Sequence, residues 1–223
     1  KTTTGGNYTT QIVASGGTGV NADGDWVTPY CMAPSNALTL FVGKAQVYRS
    51  TTGGGGWTQV GTISGGTGNL IAIANAASNI NYIYAAKIDR FYACTTGAAF
   101  VDRTAGLPTA SAAISYIAID PLNANRVWVT FSGYSAENKV WYSADAGVTW
   151  SNYSTGLPNL PANCIVYQGS STNDPLYVGT DVGVYYRDNT AGSWTPYNTG
   201  LPNVSVRELE IQYTALKLRA ATF

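Results

Sequence analysis

Residues 143–158 read SADAGVTWSNYSTGLP and combine a compact polar turn with the two markers that recur through the chain. Short polar residues and glycine occupy fixed positions before an aromatic residue, and a Gly-Leu-Pro triplet closes the stretch. The turn positions and the aromatic are Ser143, Asp145, Gly147, Thr149 and Trp150. This composition favours a tight turn that leads into a strand. It leaves two interpretations of Asp145, as a reactive carboxylate or as a residue that stabilises the turn.

The aromatic residue of this stretch recurs after other glycine-containing turns at intervals of 43 to 50 residues. Besides Trp150, the equivalent positions are Tyr8, Trp57, Phe100 and Trp194. Gly-Leu-Pro triplets at 106–108, 156–158 and 200–202 keep the same phase. Two independent markers in step indicate an internal repeat, and repeats of this length are typical of propellers and related arrays.

Each repeat is predicted to contain four short strands. In the third repeat, alternating apolar and polar residues predict strands at 114–120, 126–132, 139–144 and 148–154. Four antiparallel strands in a repeat of this length are typical of a β-propeller blade. The predicted fold is therefore all-β, a β-propeller or part of one, built from four-stranded antiparallel blades.

The repeat predicts that residues 1–223 form one β-propeller segment. The predicted full blades are residues 19–66, 67–110, 111–160 and 161–204. Residues 1–18 are predicted to end one blade, and residues 205–223 to begin another without its third and fourth strands, so we expect a piece of a longer protein. The strands of the two end pieces either stay unpaired, which favours self-association, or pair with each other and close a five-bladed ring.

The composition excludes several classes of function. Twelve basic and twelve acidic residues give zero net charge, so no nucleic-acid partner is predicted. The absence of histidine excludes Ser-His-Asp and Cys-His catalysis within the chain. No apolar run approaches the roughly 20 residues of a membrane helix, so no membrane insertion is predicted. Heavy use of Tyr, Thr, Gly, Asn and Ser is typical of secreted β-rich proteins, and we expect a secreted or cell-surface location.

Two sets of residues are weak candidates for metal ligands. The cysteines are Cys31, Cys94 and Cys164. They lack the CxxC spacing of zinc sites, and a role as small buried apolar residues is favoured. Asn21, Asp23 and Asp25 alternate around a glycine as the ligands of some calcium loops do, but no distal glutamate completes the set and a plain turn is favoured. No cofactor is predicted.

The motif at 143–150 fits the pattern S-x-D-x-G-x-T-W and resembles an Asp-box, or BNR repeat. The other copies are degenerate, with Thr52 and Asn189 where Asp is expected and Lys1 and Arg187 where Ser is expected. Asp-boxes occur in sialidases, xyloglucanase-type glycosidases, sortilin-like receptors and secreted propellers. Four further segments resemble propeller segments of large secreted Bacteroidetes proteins, which are often exported by the type IX pathway. These segments are residues 25–30, 137–150, 176–189 and 201–223.

In the resembling families, Asp-box turns lie on the outer rim, away from the central channel that holds ligands. We therefore favour the structural interpretation of Asp145, in which its carboxylate accepts backbone N–H groups two or three residues on. Gly147 would relieve strain in the turn, and Trp150 would pack between neighbouring sheets. No catalytic residue is assigned.

A second pair of carboxylates, Glu208 and Glu210, shares one face of a predicted strand, about 7 Å apart along it. Arg207 and Arg219 are available as partners, and a solvated or paired strand face is favoured over a catalytic pair. The sialidase resemblance would require an arginine triad with a Tyr–Glu pair. The xyloglucanase resemblance would require two acids facing each other across a cleft between two propellers, which one partial propeller does not supply.

Tyr134, in a loop between the second and third strands of its blade, is the aromatic residue that inter-blade packing explains least, and it is a candidate ligand contact. The leading functional prediction is a non-catalytic secreted or cell-surface propeller module for binding, display or structural assembly. Its expected partner is a carbohydrate or another surface protein. The alternatives are part of a glycoside hydrolase with catalytic residues outside this segment, and a self-associating structural subunit.

Overall fold

The computed structural model describes residue 20, residues 23–169 and residues 171–222. All regular structure in these ranges is β-strand, which confirms the predicted all-β class. The described residues include no helix long and apolar enough to cross a membrane. Residues 1–18, predicted to end a blade, and Tyr8 within them lie outside the described residues.

Four sheets of four antiparallel strands follow one another along the chain. Blade 1 consists of β1 (Tyr30–Ala33), β2 (Asn36–Gly43), β3 (Val47–Ser50) and β4 (Thr58–Gln59). Blade 2 consists of β5 (Ala72–Asn75), β6 (Ile83–Lys87), β7 (Arg90–Cys94) and β8 (Val101–Asp102). Blade 3 consists of β9 (Ala113–Ile119), β10 (Val127–Ser132), β11 (Val140–Ser143) and β12 (Ser151–Asn152). Blade 4 consists of β13 (Ala162–Tyr167), β14 (Leu176–Thr180), β15 (Gly183–Arg187) and β16 (Thr195–Pro196).

A fifth sheet has two strands, β17 (Val206–Gln212) and β18 (Lys217–Thr222). In every sheet each strand pairs with the next strand in sequence, which is the meander of a propeller blade. The β-propeller prediction is confirmed, with four four-stranded blades and one two-stranded sheet among the described residues.

Strand β6 shows why the blades pack face to face. All five of its residues are buried. Ile83 joins the apolar cluster between blades 1 and 2 together with Phe41, whereas Tyr84 joins the cluster between blades 2 and 3 together with Phe131. Because successive side chains of a strand point to opposite faces, an inner strand covered on both sides reads as a continuous apolar run. Similar clusters join blade 4 to blade 3 and to the two-stranded sheet.

The first strands of the blades lie side by side around a common axis. Strand β5 contacts both β1 and β9, and β13 contacts both β9 and β17. The fourth strands are the last in each sheet and carry exposed residues. The fold therefore separates an inner wall of first strands from an outer rim of turns between the third and fourth strands.

Candidate functional site

The turn at residues 143–150, which resembles an Asp-box in sequence, connects β11 to β12 through a closed set of hydrogen bonds. The Ser143 hydroxyl accepts the N–H groups of Asp145 at 3.2 Å and Gly147 at 2.8 Å, and it donates to Asp145 Oδ1 at 2.8 Å. Thr149 donates its N–H to Asp145 Oδ1 at 2.8 Å and its hydroxyl to Oδ2 at 2.6 Å. Both carboxylate oxygens are thus engaged within the turn. The bonds reach four residues along the chain, not the expected two or three.

These bonds determine the chemistry of Asp145. The donors on Thr149 and Ser143 hold the pKa of its carboxyl below the usual range, because they stabilise the ionised form. The strand predicted at 148–154 shrinks to Ser151–Asn152, since the residues before it belong to the turn. Both carboxylate oxygens accept hydrogen bonds from Thr149, which is consistent with the structural interpretation of Asp145.

The backbone of this turn requires a glycine. Ala146 and Gly147 have φ angles of 57° and 84°, in the left-handed region. A Cβ at residue 147 would lie 3.1 Å from both Arg103 Cβ and Phe91 Cε1. The turn therefore presses directly against blade 2.

The tryptophan after the turn attaches its blade to the preceding one. Trp150 Nε1 donates to the Arg103 carbonyl at 2.8 Å, and its ring meets Phe91 edge to face at 5.0 Å. Trp194 repeats this in blade 4, where Nε1 donates to the Tyr153 carbonyl at 2.6 Å. Phe100, at the equivalent place in blade 2, packs against the apolar cluster between blades 1 and 2. Its side chain has no N–H group that could form the same hydrogen bond.

The degenerate turn of blade 1 keeps part of this geometry. The Ser50 hydroxyl accepts the N–H groups of Thr52 at 3.3 Å and Gly54 at 2.9 Å, as Ser143 does in blade 3. Trp57 follows this turn. The feature that blades 1 and 3 share is therefore the serine hydroxyl that accepts two backbone N–H groups, and not the residue at the Asp position.

Blade 4 uses a residue that the sequence alignment missed. Asp188 Oδ1 accepts the N–H groups of Thr190 at 3.0 Å and Ala191 at 2.9 Å. Asn189, aligned with Asp145, instead donates its N–H to the Asn173 carbonyl at 2.8 Å. The stabilising carboxylate is shifted by one position, which a fixed-spacing alignment does not detect.

A candidate binding site is an axial cavity of about 420 Å³ on the inner wall. Strands β1, β5, β9 and β17 contribute residues to it, together with the segment before β1. Its lining includes Tyr30, Met32, Ile73, Asn75, Tyr116 and Glu208. Tyr30 and Met32 are 81% and 54% exposed, so the side chains of β1 at the cavity are open to solvent.

The polar groups of the axial cavity come from three strands. The Tyr116 hydroxyl donates to Glu208 Oε1 at 2.5 Å. Burial, with the contribution of Glu208, raises the pKa of Tyr116 well above its usual value, so the hydroxyl stays a donor. Asn75 Nδ2 donates to the carbonyls of Ile80 at 2.8 Å and Tyr82 at 2.9 Å. Asn75 Oδ1 is buried and has no hydrogen-bond partner among the described residues.

Arg207 and Arg219, which the sequence offers as partners for Glu208 and Glu210, form hydrogen bonds with other residues. Arg207 Nη1 donates to Asn163 Oδ1 at 3.4 Å, and Arg219 Nη2 donates to Gln212 Oε1 at 2.6 Å. A register shift between Val206 and Glu208 displaces the strand alternation at this point. Glu208 contacts Tyr116 of β9, and it lines the cavity while Glu210 does not.

The remaining candidates lie apart from the axial cavity. Tyr134 is 68% exposed in the loop after β10. Asp25 Oδ1 accepts the N–H of Trp26 at 2.7 Å, and Asp23 is exposed. Asn21, the third calcium candidate, lies outside the described residues. Within the described ranges, no cluster of three metal-ligating side chains occurs.

The three cysteines are unpaired thiols. Cys94 and Cys164 are fully buried, and Cys31 is half-buried at the axial cavity. Burial raises the pKa of Cys31 and that of Cys164 to about 12. Thiols of this kind are poor nucleophiles at neutral pH because so little thiolate forms.

No protein-family model and no curated protein matches this sequence. Solved propellers do match the fold. The GH74 xyloglucanase from Xanthomonas campestris aligns over 87% of this chain and 34% of its own, at 16% identity and a TM-score of 0.69. The Cps50 (Swd1) β-propeller domain of Myceliophteria thermophila aligns over 92% of this chain and 64% of its own, at 13% identity and a TM-score of 0.67.

The extracellular domain of the BT4673 system from B. thetaiotaomicron aligns over 87% of this chain and 26% of its own, at 13% identity and a TM-score of 0.61. The chain therefore spans about a third of the xyloglucanase and about a quarter of the BT4673 domain. At such low identity these similarities establish architecture, and one architecture serves many functions. The chain has a β-propeller fold, and its described residues supply four four-stranded blades and two strands of a further sheet.

Proposed function

We propose that this chain is a non-catalytic β-propeller module that binds its ligand in the axial cavity. The observation that carries the proposal is the cavity itself, about 420 Å³ in volume, with mostly apolar walls and a few polar groups from different strands. Small-molecule sites typically have this size and composition. Among the described residues that line it, Glu208 is the one carboxylate, whereas glycoside hydrolysis ordinarily requires two.

We further propose that the module belongs to a secreted or cell-surface protein. The turn-rich, tyrosine-rich composition supports this, and so does the fold shared with the extracellular domain of BT4673. The resemblance of four segments to secreted Bacteroidetes propellers points to type IX export. A carbohydrate or another surface protein is the ligand class that this location favours.

A glycoside hydrolase is the second candidate, favoured by the fold shared with the GH74 xyloglucanase. Its catalytic acids would come from outside this chain, which spans 34% of that enzyme. A self-associating subunit is the third candidate, favoured by β18, in which five of six residues are exposed and one edge has no strand partner among the described residues. Sedimentation of the chain over a concentration series tests the third candidate, which requires a mass that rises above 23.5 kDa.

The proposed function is tested by binding and hydrolysis on the same panel of soluble glycans and peptides. We expect binding without product release, and loss of binding in Met32→Trp, which fills the cavity from an exposed position. Tyr134→Ala is the matched variant, because Tyr134 is exposed in a distant loop, and it should bind normally. Release of sugar would overturn the non-catalytic proposal. Loss of binding in Tyr134→Ala with retention in Met32→Trp would move the site to the loop.

A further inference from the structure

We infer that the axial cavity selects organic cations, namely an ammonium or guanidinium group on an apolar stem. This inference rests on the proposed function, because it names the ligand class of the same cavity. It follows from the charge of the lining, from the direction of its free hydrogen-bonding groups and from the nature of its walls.

The charge at the axial cavity is negative. Among its described lining residues, Glu208 is the one charged side chain. The Tyr116 hydroxyl holds Oε1 at 2.5 Å, and Oε2 has no hydrogen-bond partner among the described residues. Arg207, the adjacent cation in sequence, is turned to Asn163, and the ion pairs of the described residues do not include Glu208. The carboxylate is therefore fixed in position and available to a cation.

The free polar groups at this cavity are acceptors. Asn75 is 8% exposed, and its amide nitrogen is committed to two carbonyls in its own blade. Its Oδ1 is left without a partner in the described part of the chain. Asn75 therefore offers no free donor to a ligand. Glu208 is exposed and its Oε2 is an open acceptor, so an anionic group would meet repulsion there.

The walls of the axial cavity suit the rest of such a ligand. Tyr30 and Tyr116 provide aromatic rings, whose faces attract cations, and Met32 provides a polarisable thioether. Ile71 and Ile73 line the side formed by β5 and provide aliphatic surface for a stem. A carboxylate next to aromatic rings and aliphatic walls is the combination that a cation on an alkyl chain requires.

The test compares three probes that share a six-carbon stem, hexylammonium chloride, hexan-1-ol and sodium hexanoate, by calorimetric titration at low ionic strength. We expect hexylammonium to bind at least tenfold more tightly than hexanol, with hexanoate the weakest. Glu208→Gln keeps an acceptor for Tyr116 and should weaken hexylammonium about tenfold without changing hexanol, as expected for loss of one charge-assisted contact. Glu210→Gln, on the same strand but outside the cavity lining, should change neither.

The outcomes separate this inference from the proposed function. If all three probes bind equally well and Met32→Trp abolishes that binding, the cavity is a binding site and the cation preference is wrong. If Glu210→Gln weakens hexylammonium as much as Glu208→Gln does, the charge effect is not local and the inference is also wrong. If none of the probes binds the wild-type chain, the cation preference is overturned, whereas the cavity as a binding site is decided by the glycan and peptide panel with Met32→Trp.

Discussion

Arg126 forms a polar connection between blades 3 and 4, and its removal gives the sharpest stability prediction. Its Nη1 donates to Asp120 Oδ2 at 2.7 Å within blade 3, and its Nη2 donates to Asp174 Oδ2 at 2.9 Å on blade 4. The guanidinium carbon also lies 5.3 Å from the ring centre of Trp128. Arg126→Ala removes both ion pairs and this cation–π contact at once.

The expected loss in the free energy of unfolding follows from the two carboxylates that Arg126→Ala leaves without a cation. The Asp120 side chain is 4% exposed and the Asp174 side chain 27% exposed, so two carboxylates would lose their cation with little access to water. Breaking a fully buried pair costs about 3–5 kcal/mol. Because the Arg126 side chain is itself 24% exposed, we expect Arg126→Ala to lower the free energy of unfolding by about 2–4 kcal/mol. Arg90→Ala is the control, since its pair with Asp102 is 3.5 Å long and nearly half exposed, and we expect about 0–1 kcal/mol.

Urea unfolding followed by tryptophan fluorescence measures both variants, and pH gives a second readout. Arg126 holds the pKa of the Asp174 carboxyl below its usual range. A depressed folded-state pKa contributes stability that is present above the unfolded value, about 3.9, and is lost as the pH falls through the folded value. The gap between wild type and Arg126→Ala should therefore narrow below about pH 4. Equal losses in the two arginine variants, or a gap that widens in acid, would refute this reasoning.

Three further predictions concern the turn and the thiols. Asp145→Ala should lower the free energy of unfolding by about 1–2 kcal/mol at pH 7 and by less in acid, measured by urea titration, because the bonds from Thr149 stabilise the ionised carboxyl. Gly147→Ala should lower the free energy of unfolding by about 1–3 kcal/mol in the same assay, because of its φ of 84° and the close contacts with blade 2. Gly192→Ala is the control and should be nearly neutral, since a Cβ there meets nothing within 4 Å. Cys31, with a pKa of about 12, should react with iodoacetamide at pH 8 roughly a thousandfold more slowly in the folded than in the urea-unfolded chain. Equal rates would contradict the raised pKa of the Cys31 thiol.

The fold could be predicted because it depends on local and periodic signals. The aromatic spacing and the alternation in residues 114–120 identify the blade without any long-range information, and β9 at Ala113–Ile119 lies within one residue of the predicted strand. The bonds of Asp145 are local as well, because they span four residues. Asp188 was missed since a turn can be stabilised from a neighbouring position, which the motif spacing does not encode.

The axial cavity could not be predicted from the sequence because its residues meet only after the blades have packed side by side. Tyr116 and Glu208 are 92 positions apart and meet across two different sheets. Strand alternation suggested an exposed acidic face, and both glutamates are exposed, but a hydrogen-bond partner from another sheet leaves no sign in the local pattern.

The motif therefore relates to the packing of the blades, whereas the axial cavity relates to the proposed ligand binding. The hydrogen bonds at residues 143–149 join residues of one turn, and Trp150 and Trp194 join blades 3 and 4 to the blades before them. None of these contacts involves the inner wall, so the same turns can support propellers with unrelated ligands. The inner residues, by contrast, do not follow the repeat: Tyr30, Tyr116 and Glu208 lie on first strands of different sheets and differ in chemical type. Because the repeated turns stabilise the outer rim and non-repeated residues line the axis, the proposed ligand site lies among residues that the repeat does not determine.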